Sequence, residues 1–413
     1  MTNKSRFFYG WVIVIAGFFS VAMFGVINSY STFIKPLEEY LKVSRTEIST
    51  AYMIEMIFYS AFAMVMGWLC DRAGPRTALW VSAVFMGAGM ALCSTITAIW
   101  QFYALFGVVA GIGHAAVFVV PTSTAARWFV EKRGLAVGIT ACGLGFGLIC
   151  IPPMSEYLIR TNGWRTAFVA LGALAFLVNL VVGIFMRSKP EDMGLKALGA
   201  GRELSKAAAA PVIRDYTIGE ILTARAFWVV YLTAVFCYGA EQMLVAHLGP
   251  YCATFGIGAQ QAALGLSFLG FGNIAGRVGM GWLSDRIGRV RALIMAVGLQ
   301  AVTTFGLLMI SGPYVLYAIM VVVGFCWGGW AVLNVVVLGD FFGMKNLGKA
   351  MGFYLTNGMV GSLIGPFLAG VIYDATQSYF WAIIFAGVTC LIPFFMAFSI
   401  LKQKPVTVVA AAN

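Results

Sequence analysis

Runs of about 20 apolar residues recur through the whole chain, and a run of that length is enough to cross a bilayer as one helix. Twelve such runs can be placed. The first six cover, approximately, residues 8–34, 48–70, 77–96, 98–126, 133–158 and 164–187. The second six cover, approximately, residues 226–255, 260–283, 291–310, 313–338, 348–373 and 380–402. The sequence therefore predicts an all-α membrane protein with twelve transmembrane helices and with membrane lipid as the solvent for most of its surface.

The composition leads to the same class, because it leaves too little polar surface for a soluble domain. Hydrophobic residues make up 61% of the chain and charged residues only 10%, against roughly 25% charged in a soluble domain. The formal net charge is +11, which in a soluble protein would favour a nucleic-acid partner. Here the lysine and arginine excess of cytoplasmic loops explains it, so we expect no nucleic-acid partner.

The residues that carry most enzyme chemistry are scarce. The chain has two histidines and eight cysteines, and no two cysteines form a C-x-x-C pair. We interpret the cysteines as small buried side chains and expect no metal site, no cofactor and no enzyme activity. No cleavable signal peptide is evident, because the first apolar run is long enough to span a membrane.

One long polar connection divides the runs into two sets of six. It covers residues 188–225 and separates an N-terminal half, 1–187, from a C-terminal half, 226–413. If both termini and this linker share one side of the membrane, that side holds 21 of the 27 lysines and arginines, and the opposite side holds 5. The positive-inside rule then places both termini in the cytoplasm. We expect a multi-pass protein of the cell membrane.

A short loop sequence occurs twice, once in each half. GWLCDRAGPRTAL begins at Gly67, after the second run, and GWLSDRIGRVRAL begins at Gly281, after the eighth. One copy would be explained by a turn that anchors a helix pair, but two copies at matching positions indicate an internal repeat. Two parallel six-helix halves are typical of a secondary transporter whose site lies at the membrane midplane.

These residues resemble the major facilitator superfamily, which carries such a loop between its second and third helices. Further motifs are Tyr9-Gly10-Trp11, RWFVEKRGLAVG from Arg127, and NGWRTAF from Asn162. Together with an arginine in the eighth helix, they resemble the monocarboxylate transporters and the oxalate/formate antiporters. The resemblance implies a major facilitator fold and a conformational latch in the two loops. The latch residues that it implies are Asp71, Arg72, Arg76, Asp285, Arg286 and Arg289.

Arg277 interrupts the eighth apolar run. A centrally placed arginine costs at least ~2.5–3.5 kcal/mol on insertion scales, so it requires an explanation. Asn273 lies four positions earlier and shares its helix face, and a guanidinium there could hold a carboxylate through two hydrogen bonds. The alternative is that Arg277 reaches the cytoplasmic interface, which begins roughly 9 Å away by helical rise. The resemblance favours substrate binding, because the related transporters place their carboxylate-binding arginine there.

The chain departs from its resemblance at the other charged positions. Mammalian members have a lysine about where Asn28 stands and an acid where Asn273 stands, and oxalate carriers have a lysine in the eleventh helix. This chain has only neutral residues there, from Asn357 to Gly361. One buried cation matches one carboxylate, so a monocarboxylate such as lactate or pyruvate is favoured over oxalate. The mammalian proton route is in doubt for the same reason.

Other polar and aromatic residues in the runs are candidates for the same cavity. Asn28, Phe118, Tyr354 and Asn357 fall in helices that commonly line this fold's cavity, although helix packing explains each equally well. The candidates for carrying a proton are Glu55, His114, Glu241 and His247. Each could instead be satisfied by a neighbouring polar group.

Glycine and proline suggest where helices bend or touch. Gly249-Pro250 is expected to interrupt the seventh helix just after His247. The run Gly143, Gly145 and Gly147 predicts close approach of the fifth helix to a neighbour. Gly352, Gly358, Gly361 and Gly365 predict the same for the eleventh. The glycine run is not a phosphate loop, since no strand precedes it and no lysine follows it.

The sequence thus predicts a secondary active transporter that moves a small monocarboxylate, with a proton, by alternating access. We expect a monomeric functional unit whose partners are the substrate, protons and lipid. The first alternative is an anion exchanger of the oxalate/formate type without proton coupling. A carboxylate receptor that does not transport is a further alternative, which the absence of a sizeable signalling domain disfavours.

Overall fold

The computed structural model describes residues 8–129, 133–198, 217–342, 353–354 and 356–402. Within these ranges the chain is helical and contains no β-strand. The α-helices are α1 (Gly10–Ala22), α2 (Phe24–Asn28), α3 (Tyr30–Leu41), α4 (Arg45–Leu92), α5 (Ile99–Phe102), α6 (Gly111–Trp128), α7 (Arg133–Ala141), α8 (Gly143–Phe185), α9 (Ile218–Thr223), α10 (Arg225–Ala253), α11 (Ala259–Ile287), α12 (Arg289–Gly306), α13 (Pro313–Phe342), α14 (Thr356–Thr376) and α15 (Phe380–Phe398). The middle of the predicted linker and the start of the predicted eleventh span lie outside the described residues.

The helix lengths fit a membrane protein. Nine helical stretches in the described part of the chain are long and apolar enough to cross a bilayer. Two of them, Arg45–Thr95 and Leu135–Phe185, have 51 residues each, enough for two crossings at about 20 residues per crossing. The more polar α11, which contains Arg277, is outside that set and has 29 residues. The described helices are therefore consistent with twelve crossings.

Three glycines turn the chain between successive long helices. Gly74 inside α4 has φ 86° and ψ 161°, and Gly163 inside α8 has φ 82° and ψ 161°. Gly288, between α11 and α12, has φ 94° and ψ 145°. This region of the backbone is open essentially to glycine alone. Gly74 and Gly288 occupy the same position of the two repeated loops, so the repeat extends from sequence to backbone conformation.

The helices group into two compact units. The described residues within 1–41 and 54–209 form unit 1, and those within 42–53 and 210–413 form unit 2. Residues 42–53 thus cluster with the C-terminal helices, although the rest of α4 belongs to unit 1. The division into halves at a linker of residues 188–225 stays a prediction.

Unit 1 has an apolar core built around its first helix. Ile13 and Val14 are fully buried, as are Ala116 and Trp128 of α6. On another face of the first helix, a Cβ at Gly143 or Gly147 would overlap backbone carbonyl oxygens of that helix. The close approach predicted for the fifth span is confirmed.

Unit 2 contains two helix pairs whose backbones touch through glycine. Gly272 and Gly276 of α11 face Gly324 and Gly328 of α13, and a Cβ at any of the four would overlap a carbonyl oxygen of the opposite helix. In the same way, Gly361 and Gly365 of α14 pack against α10 at Gly239. Small residues at four-residue spacing allow this approach. The predicted contact of the eleventh span is confirmed at Gly361 and Gly365. It is wrong at Gly358, where the nearest atom to a Cβ is a ring carbon of Tyr238 at 3.8 Å, and Gly352 lies outside the described residues. The α11–α13 contact was not anticipated.

Replacing Gly328 with alanine is expected to destabilise unit 2, because the new Cβ would overlap the carbonyl oxygen of Asn273. Overpacking of this kind costs ~1–3 kcal/mol, so the melting temperature of the purified protein should fall by a few degrees in scanning fluorimetry. Gly281→Ala is the matched control, since a Cβ at Gly281 meets nothing within 4 Å. Equal melting temperatures of the two variants would contradict the α11–α13 contact.

Candidate functional site

Arg277 lies in the middle part of α11 and is partly buried. Its Nε donates a hydrogen bond of 3.0 Å to Oδ1 of Asn273, which is fully buried. The four-residue spacing predicted this shared face. The hydrogen bond links the guanidinium to a side chain about one turn earlier on the same helix. The Nδ2 donor of Asn273 has no hydrogen-bond partner in the structure. This N–H donor can therefore bind a second polar group beside the guanidinium.

The glycine contact fixes the backbone that carries Arg277. A Cβ at Gly328 would lie 2.9 Å from the Arg277 amide nitrogen. Because α13 is in direct contact with α11 at this point, the position of the Arg277 Cα is set by backbone packing. The side chain therefore starts from a rigid support, as a binding group requires.

Glu241, on α10, is a buried acid whose charge, when it is ionised, is opposite to that of Arg277. Its side chain is 1% exposed, and neither carboxylate oxygen has a hydrogen-bond partner in the structure. It interacts electrostatically with Arg277 and with the indole of Trp330, although the Trp330 N–H is outside hydrogen-bond geometry. An unpaired buried carboxylate is costly, so the ionised form of Glu241 requires a neighbouring cation, and Arg277 is the cation that acts on it.

A cavity within unit 2 reaches both Glu241 and His247. The space that it encloses, together with the adjoining open solvent, is ≈ 470 Å³, and its polar lining includes Gln300, Thr304 and Tyr379. The Oε1 atom of Gln300 is buried without a hydrogen-bond partner in the structure. Two of the four proton-carrying candidates from the sequence thus share one cavity.

His247, which also lines that cavity, is the centre of a hydrogen-bond network. Its Nε2 lies 2.9 Å from the carbonyl oxygen of Pro366 and 3.2 Å from Oγ of Ser49. Its Nδ1 lies 3.0 Å from the hydroxyl of Tyr379, which also accepts from Arg45 at 3.1 Å. Because a carbonyl can only accept, Nε2 carries the proton and Nδ1 accepts from Tyr379.

The expected break after His247 does not occur. Helix α10 continues through Pro250 to Ala253, so that expectation was wrong. Pro250 lacks an N–H and so removes one internal hydrogen bond, but transmembrane helices tolerate proline. The alternative given for His247, satisfaction by a neighbouring polar group, does occur: its partner is the carbonyl oxygen of Pro366 on another helix.

Glu55 and His114 form a pair in unit 1 that the sequence did not predict. Nδ1 of His114 lies 2.6 Å from Oε1 of Glu55, and both side chains are fully buried. The two residues are 59 positions apart, on α4 and α6. No local sequence pattern could therefore indicate the pairing. Oε2 of Glu55 and Nε2 of His114 have no hydrogen-bond partner in the structure.

The other candidates for the substrate cavity divide between the units. In unit 1, Asn28 is 2% exposed with its Nδ2 unpartnered, and Phe118 is partly buried with its ring 6.0 Å from that of Phe24. In unit 2, Tyr354 accepts a 3.1 Å hydrogen bond from Asn334, and Asn357 donates to the backbone carbonyl of Tyr354. Tyr354 and Asn357 thus have partners within unit 2.

The latch candidates of unit 1 pair with neighbouring helix ends. Asp71 forms an ion pair with Arg127, at the end of α6. Arg76 donates to the carbonyl oxygens of Gly183 and Ile184, near the end of α8, at 3.2 and 3.0 Å. Motif reading missed the role of Arg127, although it opens one of the quoted motifs.

The latch candidates of unit 2 repeat this arrangement. Arg289 pairs with Asp285 at 2.7 Å and with Asp340 of α13 at 3.5 Å. The guanidinium of Arg286 lies 4.0 Å from the ring of Trp282. In unit 1 the equivalent arginine, Arg72, stacks in the same way on its own tryptophan, at 4.7 Å. Both loop copies therefore use the same Trp–Arg stack and an Asp–Arg ion pair.

Comparison with known proteins identifies the family. The sequence profile of the Major Facilitator Superfamily matches residues 13–339, most of the chain. The chain belongs to this superfamily. It is therefore a multi-pass membrane transporter and not an enzyme. The predicted family is confirmed, together with the all-α major facilitator fold.

The curated relatives fall in the group that the motifs indicated. The oxalate:formate antiporter of Oxalobacter formigenes is 27% identical over 398 residues, covering 95% of this chain and 91% of its own. Monocarboxylate transporter 12 of Xenopus laevis is 27% identical over 400 residues, covering 92% and 86%. The chain is thus similar to transporters of small organic anions over nearly its whole length.

Solved structures agree on the fold. The crystal structure of a D-xylose–proton symporter matches with a TM-score of 0.76 and 15% identity, covering 96% of this chain and 98% of that one. A bacterial homologue of the lysosomal transporter Spinster, inward-facing and unoccupied, matches with a TM-score of 0.71 and 14% identity, covering 97% and 99%. At these identities the matches show the fold alone.

The network around His247 predicts which ring nitrogen carries the proton. The chain has two histidines, so a His114→Gln variant labelled with ¹⁵N-histidine gives one imidazole spectrum. At pH 8 we expect the neutral Nε2–H tautomer, since Pro366 can only accept. Tyr379→Phe removes the donor to Nδ1 and should shift the Nδ1 resonance. A neutral Nδ1–H tautomer would contradict the network.

Proposed function

We propose that the chain is a secondary transporter that moves one small monocarboxylate, of the lactate or pyruvate type, together with one proton. The observation that carries the proposal is Arg277, a partly buried cation in a transmembrane helix, set beside the unpartnered amide donor of Asn273. Guanidinium and carboxylate match each other in a two-point, charge-assisted geometry. Relatives named as monocarboxylate transporters support the same substrate class.

The charge count supports a monocarboxylate over a dicarboxylate. Arg277 is the one basic residue that the sequence places away from the ends of a span. Asn28 and Asn357 stand where the related carriers have second cations, and both are neutral. A second carboxylate would therefore be buried without a counter-charge, which is costly in a low-dielectric site.

Glu241 explains how a proton is coupled to the anion. In the empty site the charges of Glu241 and Arg277 balance each other. A bound carboxylate neutralises Arg277 and leaves Glu241 as an uncompensated buried anion, so the Glu241 carboxylate takes a proton. Both the empty and the fully loaded sites are then neutral, and these are the two states that can reorient at low electrostatic cost.

The remaining parts of the cycle follow from the fold. The two halves alternate access to the site, and the loops that contain Asp71 and Asp285 open and re-form their ion pairs on the cytoplasmic side. Both termini lie in the cytoplasm, as the distribution of basic residues indicates. The protein acts in the cell membrane as a monomer.

Uptake into proteoliposomes tests the substrate and the role of Arg277. With an inward proton gradient and no internal substrate, the wild type should accumulate L-lactate, and a protonophore should abolish the accumulation. Arg277→Gln should lower the uptake efficiency roughly 100-fold, because a charge-assisted pair contributes roughly 1.5–3 kcal/mol. Arg277→Lys keeps the charge and loses the fork, so its activity should be intermediate. Wild-type uptake that Arg277→Gln leaves intact would contradict the proposed site.

Glu241→Gln is expected to separate exchange from proton-driven uptake. The glutamine cannot release a proton, so the loaded site can still reorient while net uptake under a proton gradient is lost. Counterflow of labelled lactate against internal lactate should therefore persist. Glu39→Gln, at an exposed position of α3, is the control that should leave both modes unchanged. If Glu241→Gln loses both counterflow and proton-driven uptake while Glu39→Gln keeps both, the proton-carrying role is contradicted.

Exchange of one carboxylate for another is the second candidate, favoured by the antiporter among the relatives. It predicts uptake only into vesicles that are preloaded with carboxylate, whatever the proton gradient. The same proteoliposomes, loaded or empty, distinguish the two functions.

A further inference from the structure

We propose that Glu55 and His114 form a second proton-binding site, in unit 1, which sets the pH range of transport. The site is separate from Arg277 and Glu241, which belong to unit 2, so it does not depend on the substrate assigned above. Its geometry is a direct carboxylate–imidazole contact of 2.6 Å between two side chains that are 0% exposed.

The surroundings of the pair favour a bound proton on the imidazole. The ring of Phe24 lies 4.1 Å from that of His114, and the ring of Tyr59 lies 4.6 Å from it. Aromatic rings within about 6 Å stabilise a cation, and the carboxylate of Glu55 supplies the opposite charge. An imidazolium at this position is therefore enclosed by groups that attract it.

The pair is also incompletely satisfied, unlike a purely structural contact. Oε2 of Glu55 and Nε2 of His114 are buried without hydrogen-bond partners in the structure. Leaving two buried polar atoms unpaired is unfavourable for folding. Atoms of this kind are expected where water or a proton reaches the group in another conformation.

Few other ionisable groups bear on the pair. The first-helix segment Gly10–Asn28, which contributes Phe24, contains no ionisable side chain, and neither does Ala78–Leu92 of α4, which packs on Gly113. On the pair's own helices the nearest are Tyr52, three residues before Glu55, and Tyr59, whose ring lies 4.6 Å from that of His114. Tyr103 and Arg127, on either side of His114 in the chain, are about three turns or more away. Glu55 is thus the one acid among these ionisable groups.

One proton changes the net charge of the pair from −1 to 0. With an ionised carboxylate and a neutral imidazole, the pair is a buried anion, and a proton from water makes it neutral. The backbones of α4 and α6 are close here, since a Cβ at Gly111 would lie 2.9 Å from the Glu55 carbonyl oxygen. The neutral form stabilises this contact, so transport that requires it slows as pH rises through the titration.

The chain offers a direct measurement, because it has two histidines. In His247→Gln, ¹⁵N-histidine labelling leaves one imidazole signal, that of His114. We expect the midpoint of its protonation to fall by at least one pH unit in Glu55→Gln. Glu156→Gln, which removes another buried acid of unit 1, should leave the midpoint unchanged. Should His247→Gln not fold, the signal absent from His114→Gln identifies His114 in the wild-type spectrum.

An imidazole that stays neutral from pH 5 to 9, or a titration that Glu55→Gln leaves unchanged, would overturn the proton site. For the role in transport, initial uptake rates are compared from pH 5.5 to 8.5 with the wild type as reference. Glu55→Gln should reduce the ratio of rates at the two ends at least threefold, whereas Glu55→Asp, which keeps a carboxylate, should restore part of it. An unchanged profile would overturn the role in transport. The spectra remain decisive even if no carboxylate is transported, so the two proposals fail separately.

Discussion

A guanidinium inside an apolar helix is the interaction on which the rest of the structure depends. Its cost is at least ~2.5–3.5 kcal/mol on insertion scales, so neighbouring groups have to be arranged to meet it. Asn273 accepts its Nε–H, Glu241 interacts with it electrostatically, and the α11–α13 glycine contact fixes its backbone. In the proposed mechanism a bound carboxylate becomes the counter-charge of Arg277.

Duplication supplies the frame in which this charge is held. The two loops share conformation as well as sequence. Gly74 and Gly288 lie in the same φ/ψ region, and Arg72 and Arg286 stack on tryptophan in the same way. Each loop also fixes an aspartate against an arginine. The chemistry is not duplicated, since the arginine lies in unit 2 and the buried Glu55–His114 pair in unit 1. The two halves therefore share a repeated scaffold but contain different buried charged residues.

Much of this was predictable from sequence, and the failures have physical reasons. Apolar run length identifies spanning helices, and four-residue spacing placed Asn273 beside Arg277, because both signals are local. The partners of His114 and His247 come from distant parts of the chain, so no spacing rule could find them. The predicted break at Pro250 was wrong because a transmembrane helix can continue through a proline that removes one internal hydrogen bond. Arg127 was visible in a motif, but its ion pair with Asp71 required the fold.

The central claim is that carboxylate binding at Arg277 and protonation of Glu241 are one linked event. Calorimetry of L-lactate binding at pH 8, in two buffers with different ionisation enthalpies, measures that linkage directly. We predict uptake of about one proton per lactate bound by the wild type, and close to none in Glu241→Gln. Lactate binding that takes up no proton in the wild type would contradict the charge balance between Arg277 and Glu241.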